Sequence, residues 1–269
     1  MRWPRAALVF LAGLLSARAS AGGGPYPIEE KIPQAKESYY SARICGVLKH
    51  WPPEGFPEGV SETEPLWIAA IKTPGDDAYV GLAKRMWIRA PLSAVASLMT
   101  DFEGYKDRVP DLKEVRVLGR DGNRITMSWR SKSPMLFVPD TRYAQVWVID
   151  ESSPGRVVCR HQLEWGNHLK FSDGLIVMEA AKEKGLTRLT TFDFFKLDLG
   201  VLAKVAPLRQ VMRKVWKDSV EAYYRGDIAL KTKAEHPDWT AGRIQEEAQE
   251  ALKAHPAVSV QFLSPSPFD

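Results

Sequence analysis

The sequence predicts an α+β fold in which a curved antiparallel sheet wraps around a long C-terminal helix. Three observations lead there. Between residues 79 and 197, short runs alternate apolar side chains with others and are separated by turn-forming residues, the pattern of half-buried strands. One short helical stretch interrupts the series near its start. From Leu202 an apolar stripe then keeps helical spacing for more than five turns.

The first 21 residues stand apart. Arg2 and Arg5 precede an apolar run, Ala6 to Leu15, and Ala19-Ser20-Ala21 supplies small residues ahead of Gly22-Gly23-Gly24. That order predicts a secretory signal peptide over 1–21, cleaved after Ala21, and an exported protein, periplasmic or secreted. The run is ten residues long, whereas a membrane span needs about 20.

Residues 22–78 read as an N-terminal extension. Trp51-Pro52-Pro53-Glu54-Gly55-Phe56-Pro57 forbids a long helix there. A short helix fits 32–48, and Pro65-Leu66-Trp67-Ile68-Ala69-Ala70-Ile71 is apolar enough to pack against something.

The main domain spans 79–235. Val80, Leu82, Met86 and Ile88 alternate up to Ala90-Pro91, and a short helix follows over 91–99. A strand at 114–118 turns at Asp121-Gly122-Asn123 and returns through Ile125, Met127 and Trp129. Further strands fall at 143–149, 157–165, 175–180 and 187–197, with Pro154-Gly155 and Lys184-Gly185 as turns. In the long helix Leu202, Val205, Leu208, Met212, Val215, Trp216, Val220 and Tyr223 share one side, and Lys204, Arg209, Arg213, Lys214, Lys217 and Asp218 take other positions. Residues 236–269 hold a second polar helix, near 241–253, and a Pro/Ser tail.

Charge excludes one class of partner. Of 37 basic residues, three (Arg2, Arg5, Arg18) belong to the leader, leaving 34 against 33 acidic ones. A net of +1 gives no electrostatic case for nucleic acid. Catalytic signatures are missing as well: there is no Gly-x-Ser-x-Gly elbow, His-Glu-x-x-His pair or phosphate-cradling loop. The five histidines (His50, His161, His168, His236, His255) are scattered, so no metal site and no cofactor is expected. Cys45 and Cys159 either pair in an oxidising compartment or stay separately buried.

The stretch Met86-Trp87-Ile88-Arg89-Ala90-Pro91-Leu92-Ser93-Ala94-Val95, running on through Thr100-Asp101-Phe102-Glu103-Gly104-Tyr105 to Val109-Pro110, resembles the opening of START-like proteins of the polyketide-cyclase and lipid-transport (SRPBCC) superfamily. Ser172-Asp173-Gly174 and Thr187-Arg188-Leu189-Thr190 are similar to that group's late strands, and the long helix falls where it places a lid helix. The chain departs in having Lys106 where relatives often carry proline. The resemblance implies a helix-grip fold with a cavity for a lipid, sterol, isoprenoid, quinone or aromatic polyketide. Several unrelated activities share that scaffold, so the ligand stays open.

On this reading the candidate ligand-binding residues are Trp129, Tyr143, Trp147, His161, Trp165, Met178, Asp193, Phe195, Met212 and Trp216, with no catalytic residue assigned. Aromatic rings supply large contact area with few rotors. His161 alternates with Cys159, Leu163 and Trp165; it either meets a ligand's polar end or is satisfied by a neighbouring backbone group. Asp193, between Phe192 and Phe194, faces solvent, pairs with an arginine such as Arg160, or serves the pocket. The 187–197 strand carries phenylalanine on both faces, so something covers the outer one; the 22–78 extension is the expected cover. Three functions fit: a carrier of an apolar molecule, a cyclase- or hydratase-type enzyme, and an envelope interaction module. The basic side of the long helix either touches anionic lipid during transient membrane contact or is simply solvated.

Overall fold

In the computed structural model, residues 66–71, 79–109, 111–132, 140–197, 208–254 and 261–263 are described; the side chains of 67–71, 79–81, 83, 197, 208–217, 219 and 261–263 are not. Alternation makes strands of β1 (Leu66–Ile71), β2 (Tyr79–Ile88), β3 (Leu112–Asp121), β4 (Arg124–Ser131), β5 (Thr141–Asp150), β6 (Arg156–Gly166), β7 (Leu169–Ala180) and β8 (Thr187–Leu197), with a short β9 (Gln261–Leu263). Helices α1 (Leu92–Thr100) and α2 (Tyr105–Arg108) lie between β2 and β3, and α3 (Leu208–Glu235) and α4 (Ala241–Ala254) follow β8.

One sheet holds all nine strands in the order β3-β4-β5-β6-β7-β8-β2-β1-β9. Every pairing is antiparallel except that of β1 with β9. The predicted turns stand where expected: Gly122, Gly155 and Gly185 have φ of 56°, 73° and 80°, a region closed to most side chains. The apolar piece at 66–71 is a strand that prolongs the sheet beyond β2, and the tail returns beside it as β9.

Proline shapes the start of α1. Pro91 is extended at φ −64° and ψ 149°, and its carbonyl accepts from Ala94 and Val95 as the helix begins. The helix buries Val95, Ala96 and Met99. Lys106 does not disturb the next turn: Arg108 donates to the carbonyls of Leu98 (2.7 Å), Asp101 (2.7 Å) and Gly104 (3.2 Å), binding α2 to the end of α1. Helix α3 covers the sheet's inner side, contributing Tyr224, Ile228, Ala229 and Leu230 to a core that includes Met86, Met127, Cys159, Met178 and Leu189. Helix α4 buries Ile244 and Ala248, and Gln245 donates to the carbonyls of Asp107 and Arg108.

Leu202 and Val205, the 32–48 helix, the signal segment and Cys45 lie outside the described residues, as does the extension expected over the outer face. Cys159 is a free, fully buried thiol, and burial pushes its pKa up to about 12.

Candidate ligand-binding cavity

Cross-strand register builds the site. Leu82 of β2 pairs with Asp193 of β8, Asp193 with Gly174 of β7, Gly174 with His161 of β6, His161 with Trp147 of β5, and Trp147 with Ile125 of β4. Directly paired residues in an antiparallel sheet share a face, so this is one row of side chains across six strands. Between that row and α3 lies a cavity of about 610 Å³.

One wall is aromatic. Tyr143 stacks on Trp129 at 6.1 Å and 14°, Trp129 meets Trp147 at 6.4 Å and 37°, and Trp147 stacks on His161 at 4.8 Å and 24°. Tyr105 closes on the edge of Trp129 at 5.4 Å, its hydroxyl donating to the Met99 carbonyl. Burial raises the phenol pKa of Tyr105, and that of Tyr143 to about 12, so both rings stay neutral.

The other end is charged. Lys84 Nζ lies 3.3 Å from Asp193 Oδ2 and 2.9 Å from Asp227 Oδ2, the latter carried by α3, and sits 4.4 Å above the Tyr223 ring. Burial alone drives Lys84 toward neutrality, but Asp227 and Asp193 together outweigh it and raise its pKa. Burial also pushes the Asp193 carboxyl up; Lys84 and His161 more than cancel this and hold it below the usual carboxylate value. Asp227 has less compensation, so burial leaves its carboxyl raised despite Lys84.

A chain of hydrogen bonds joins the two ends. The Trp147 indole can only donate, and it donates to Gln145 Oε1 at 3.2 Å. That turns Gln145 Nε2 toward Ser172 Oγ (3.1 Å) and His161 Nδ1 (3.2 Å). Nδ1 therefore accepts, and the imidazole proton sits on Nε2, donating to Asp193 Oδ1 at 3.1 Å. Both ring nitrogens and both Asp193 oxygens are thus engaged within the protein.

Of the residues predicted to bind ligand, Trp129, Tyr143, Trp147, His161, Asp193 and Phe195 line the cavity. His161 is satisfied by side chains rather than by backbone. Asp193 pairs with Lys84, not with Arg160, whose strand position faces the opposite side. Two other placements differ from expectation. Trp165 does not line the cavity: a β-bulge sets Leu163 opposite Gln145 but Trp165 opposite Ala144, reversing its face. Met178 is on the inner side but fully buried in the core, opposite Leu189. The side chains of Met212 and Trp216 lie outside the described residues. Phe192 and Phe194 are buried on the outer face, with Phe195 on the inner one.

Sequence reading missed Lys84, Gln145, Ser172 and Asp227. Lys84 carried a signal, since it falls in step with Leu82 and Met86 on the apolar side of β2. Asp227 follows Tyr223 by one helical turn on the cavity side. Among the described residues no cluster of three or more His, Cys, Asp or Glu is placed to hold a metal ion.

This arrangement, a curved antiparallel sheet gripping a C-terminal helix, is the START-like helix-grip fold. Human STARD10 superposes with a TM-score of 0.53 over 91% of this chain and 96% of its own, at 12% identity. A STAR-related lipid transfer protein fragment from Xanthomonas axonopodis (TM-score 0.49, 9% identity, 64% of this chain and 96% of that one) is also similar. So is the Zhui aromatase/cyclase from Streptomyces sp. R1128 (TM-score 0.48, 16% identity, 61% and 98%). No protein-family model and no curated protein sequence matches the chain.

Proposed function

We propose that this protein is an exported carrier that encloses an apolar small molecule between the sheet and α3. The observation that carries the reading is the cavity of about 610 Å³, walled by stacked rings and left unfilled by the protein's own side chains. Its size falls within the range of about 300–1,000 Å³ in which small-molecule sites lie. Enclosing roughly 400 Å² of ligand apolar surface is worth on the order of 10 kcal/mol before association costs. The leader-like first 21 residues support export. A carrier loads from a bilayer, which gives the basic side of α3 a role in transient membrane contact. Among the described residues, no helix is long and apolar enough to cross a membrane.

A second reading, a cyclase- or hydratase-type enzyme on the same scaffold, is favoured by the presence of His161 and Asp193 in the cavity wall. General acid–base work needs a nitrogen or oxygen within reach of the substrate. The mutual saturation of these two side chains weighs toward the carrier. An interaction module needs a collapsed interior, which the cavity argues against.

Native mass spectrometry on protein purified from its own host, followed by organic extraction, tests the proposal. A co-purifying apolar molecule in stoichiometric amount supports it. Apoprotein that gains no mass when offered lipid extract contradicts it.

A further inference from the structure

We infer that the molecule held in this cavity buries an uncharged polar end, a hydroxyl or carbonyl oxygen, and that the cavity rejects a free carboxylate or phosphate there; this rests on the carrier reading. The ground is a charge census of the interior. Its one ammonium, Lys84, is shared by two carboxylates, Asp193 and Asp227. Hydrogen bonding puts the His161 proton on Nε2 with Nδ1 accepting, so the ring adds no positive charge. The formal charge of the inner end is therefore −1 with Asp227 ionised and zero with it protonated, and positive in neither state.

Cations nearer the rim are committed elsewhere. Arg108 donates to three backbone carbonyls. Arg225 faces Asp111 at 3.8 Å. Helix α3 adds two more acids to the lining, Asp218 and Glu221, and the exposed Lys132 sits at the end of β4. An anionic ligand end would leave water for a site that opposes it, and like charges brought together in a desolvated site cost several kcal/mol. A hydroxyl fits instead, since it accepts from Lys84 and donates to Asp227 at once.

A matched pair of ligands tests this. Nile red is bound to the full chain and displaced by dodecanol or by dodecanoate at about pH 8, where the acid is ionised. Dodecanol is expected to displace at about tenfold lower concentration or better. Any apolar cavity penalises a carboxylate somewhat, so the deciding comparison is Asp227→Asn, which removes one negative charge at nearly constant shape. The gap should close to within about threefold in that variant, through tighter binding of dodecanoate alone. Asp227→Ser gives the same comparison should Asp227→Asn not fold. Equal displacement by the two ligands in the wild-type protein overturns the inference while leaving the carrier reading intact. So does a gap unchanged by removing the charge. Failure of Nile red itself to bind removes the carrier reading, and this inference with it.

Discussion

The imidazole of His161 occupies the space that a side chain at Gly174 would need: a Cβ there would lie 2.0 Å from Nε2. The glycine's φ is not in the left-handed region, so the requirement is one of space alone. Across this gap His161 reaches the next strand and meets Asp193. Gly174→Ala should therefore push the ring off Asp193 and destabilise the fold by about 1–3 kcal/mol. Chemical denaturation measures this, and the loss should largely vanish when His161 is already alanine. An unchanged penalty in that background would place its cause elsewhere.

The tautomer of His161 follows from the Trp147 indole two bonds away. ¹⁵N-NMR should show the neutral Nε2–H form, with Nδ1 bearing no proton. In Gln145→Glu the new carboxylate still accepts from Trp147 and now also accepts from a protonated Nδ1, so the Nδ1 signal should move to the protonated range. A wild-type Nδ1–H signal would mean that the Gln145 amide is turned the other way.

Lys84 holds two buried carboxylates in place. Lys84→Met keeps the length of the side chain but strands both acids, and should cost about 3–5 kcal/mol at neutral pH. Adding Asp227→Asn should recover part of that loss, because one uncompensated charge disappears. Strict additivity in the thermal or denaturant midpoints would refute the coupling.

On the outer face Asp173 is completely buried. Burial lifts its pKa to about 6, against the pull of His161 and Arg160 and of hydrogen bonds from Gln162 and Gly174. Its ordinary value is 3.8, so between roughly pH 4 and pH 6 the folded protein holds a proton that the unfolded chain has released. Stability from this group is thus complete below pH 4 and is lost as pH rises through about 6. Asp173→Asn should match the wild type near pH 4 and exceed it by up to about 3 kcal/mol above pH 6. A difference constant with pH would show that the carboxyl titrates normally.

Much of the sheet could be read from alternation because burial on one side forces it. β8 begins and ends where the pattern does, and the glycine turns stand where positive φ is needed. Trp165 could not be placed this way: a bulge of one residue reverses every later side chain in the strand, and nothing in the local pattern marks it. Lys84 was concealed by its type, since a lysine on a strand reads as a solvent contact until its partner is known. Asp227 lies more than 140 residues away, and only the tertiary fold brings it there. The strand identities of 66–71 and 261–263 rest on pairing between the two ends of the chain, which local spacing does not encode.

The most direct measurement is an intermolecular NOE experiment with ¹³C-labelled dodecanol and the full chain. Ligand methylene signals should show cross-peaks to the ring protons of Trp129, Tyr143 and Trp147, with the carbinol end nearest Tyr223. Cross-peaks confined to exposed side chains, or no binding at all, would contradict a ligand enclosed between the sheet and α3.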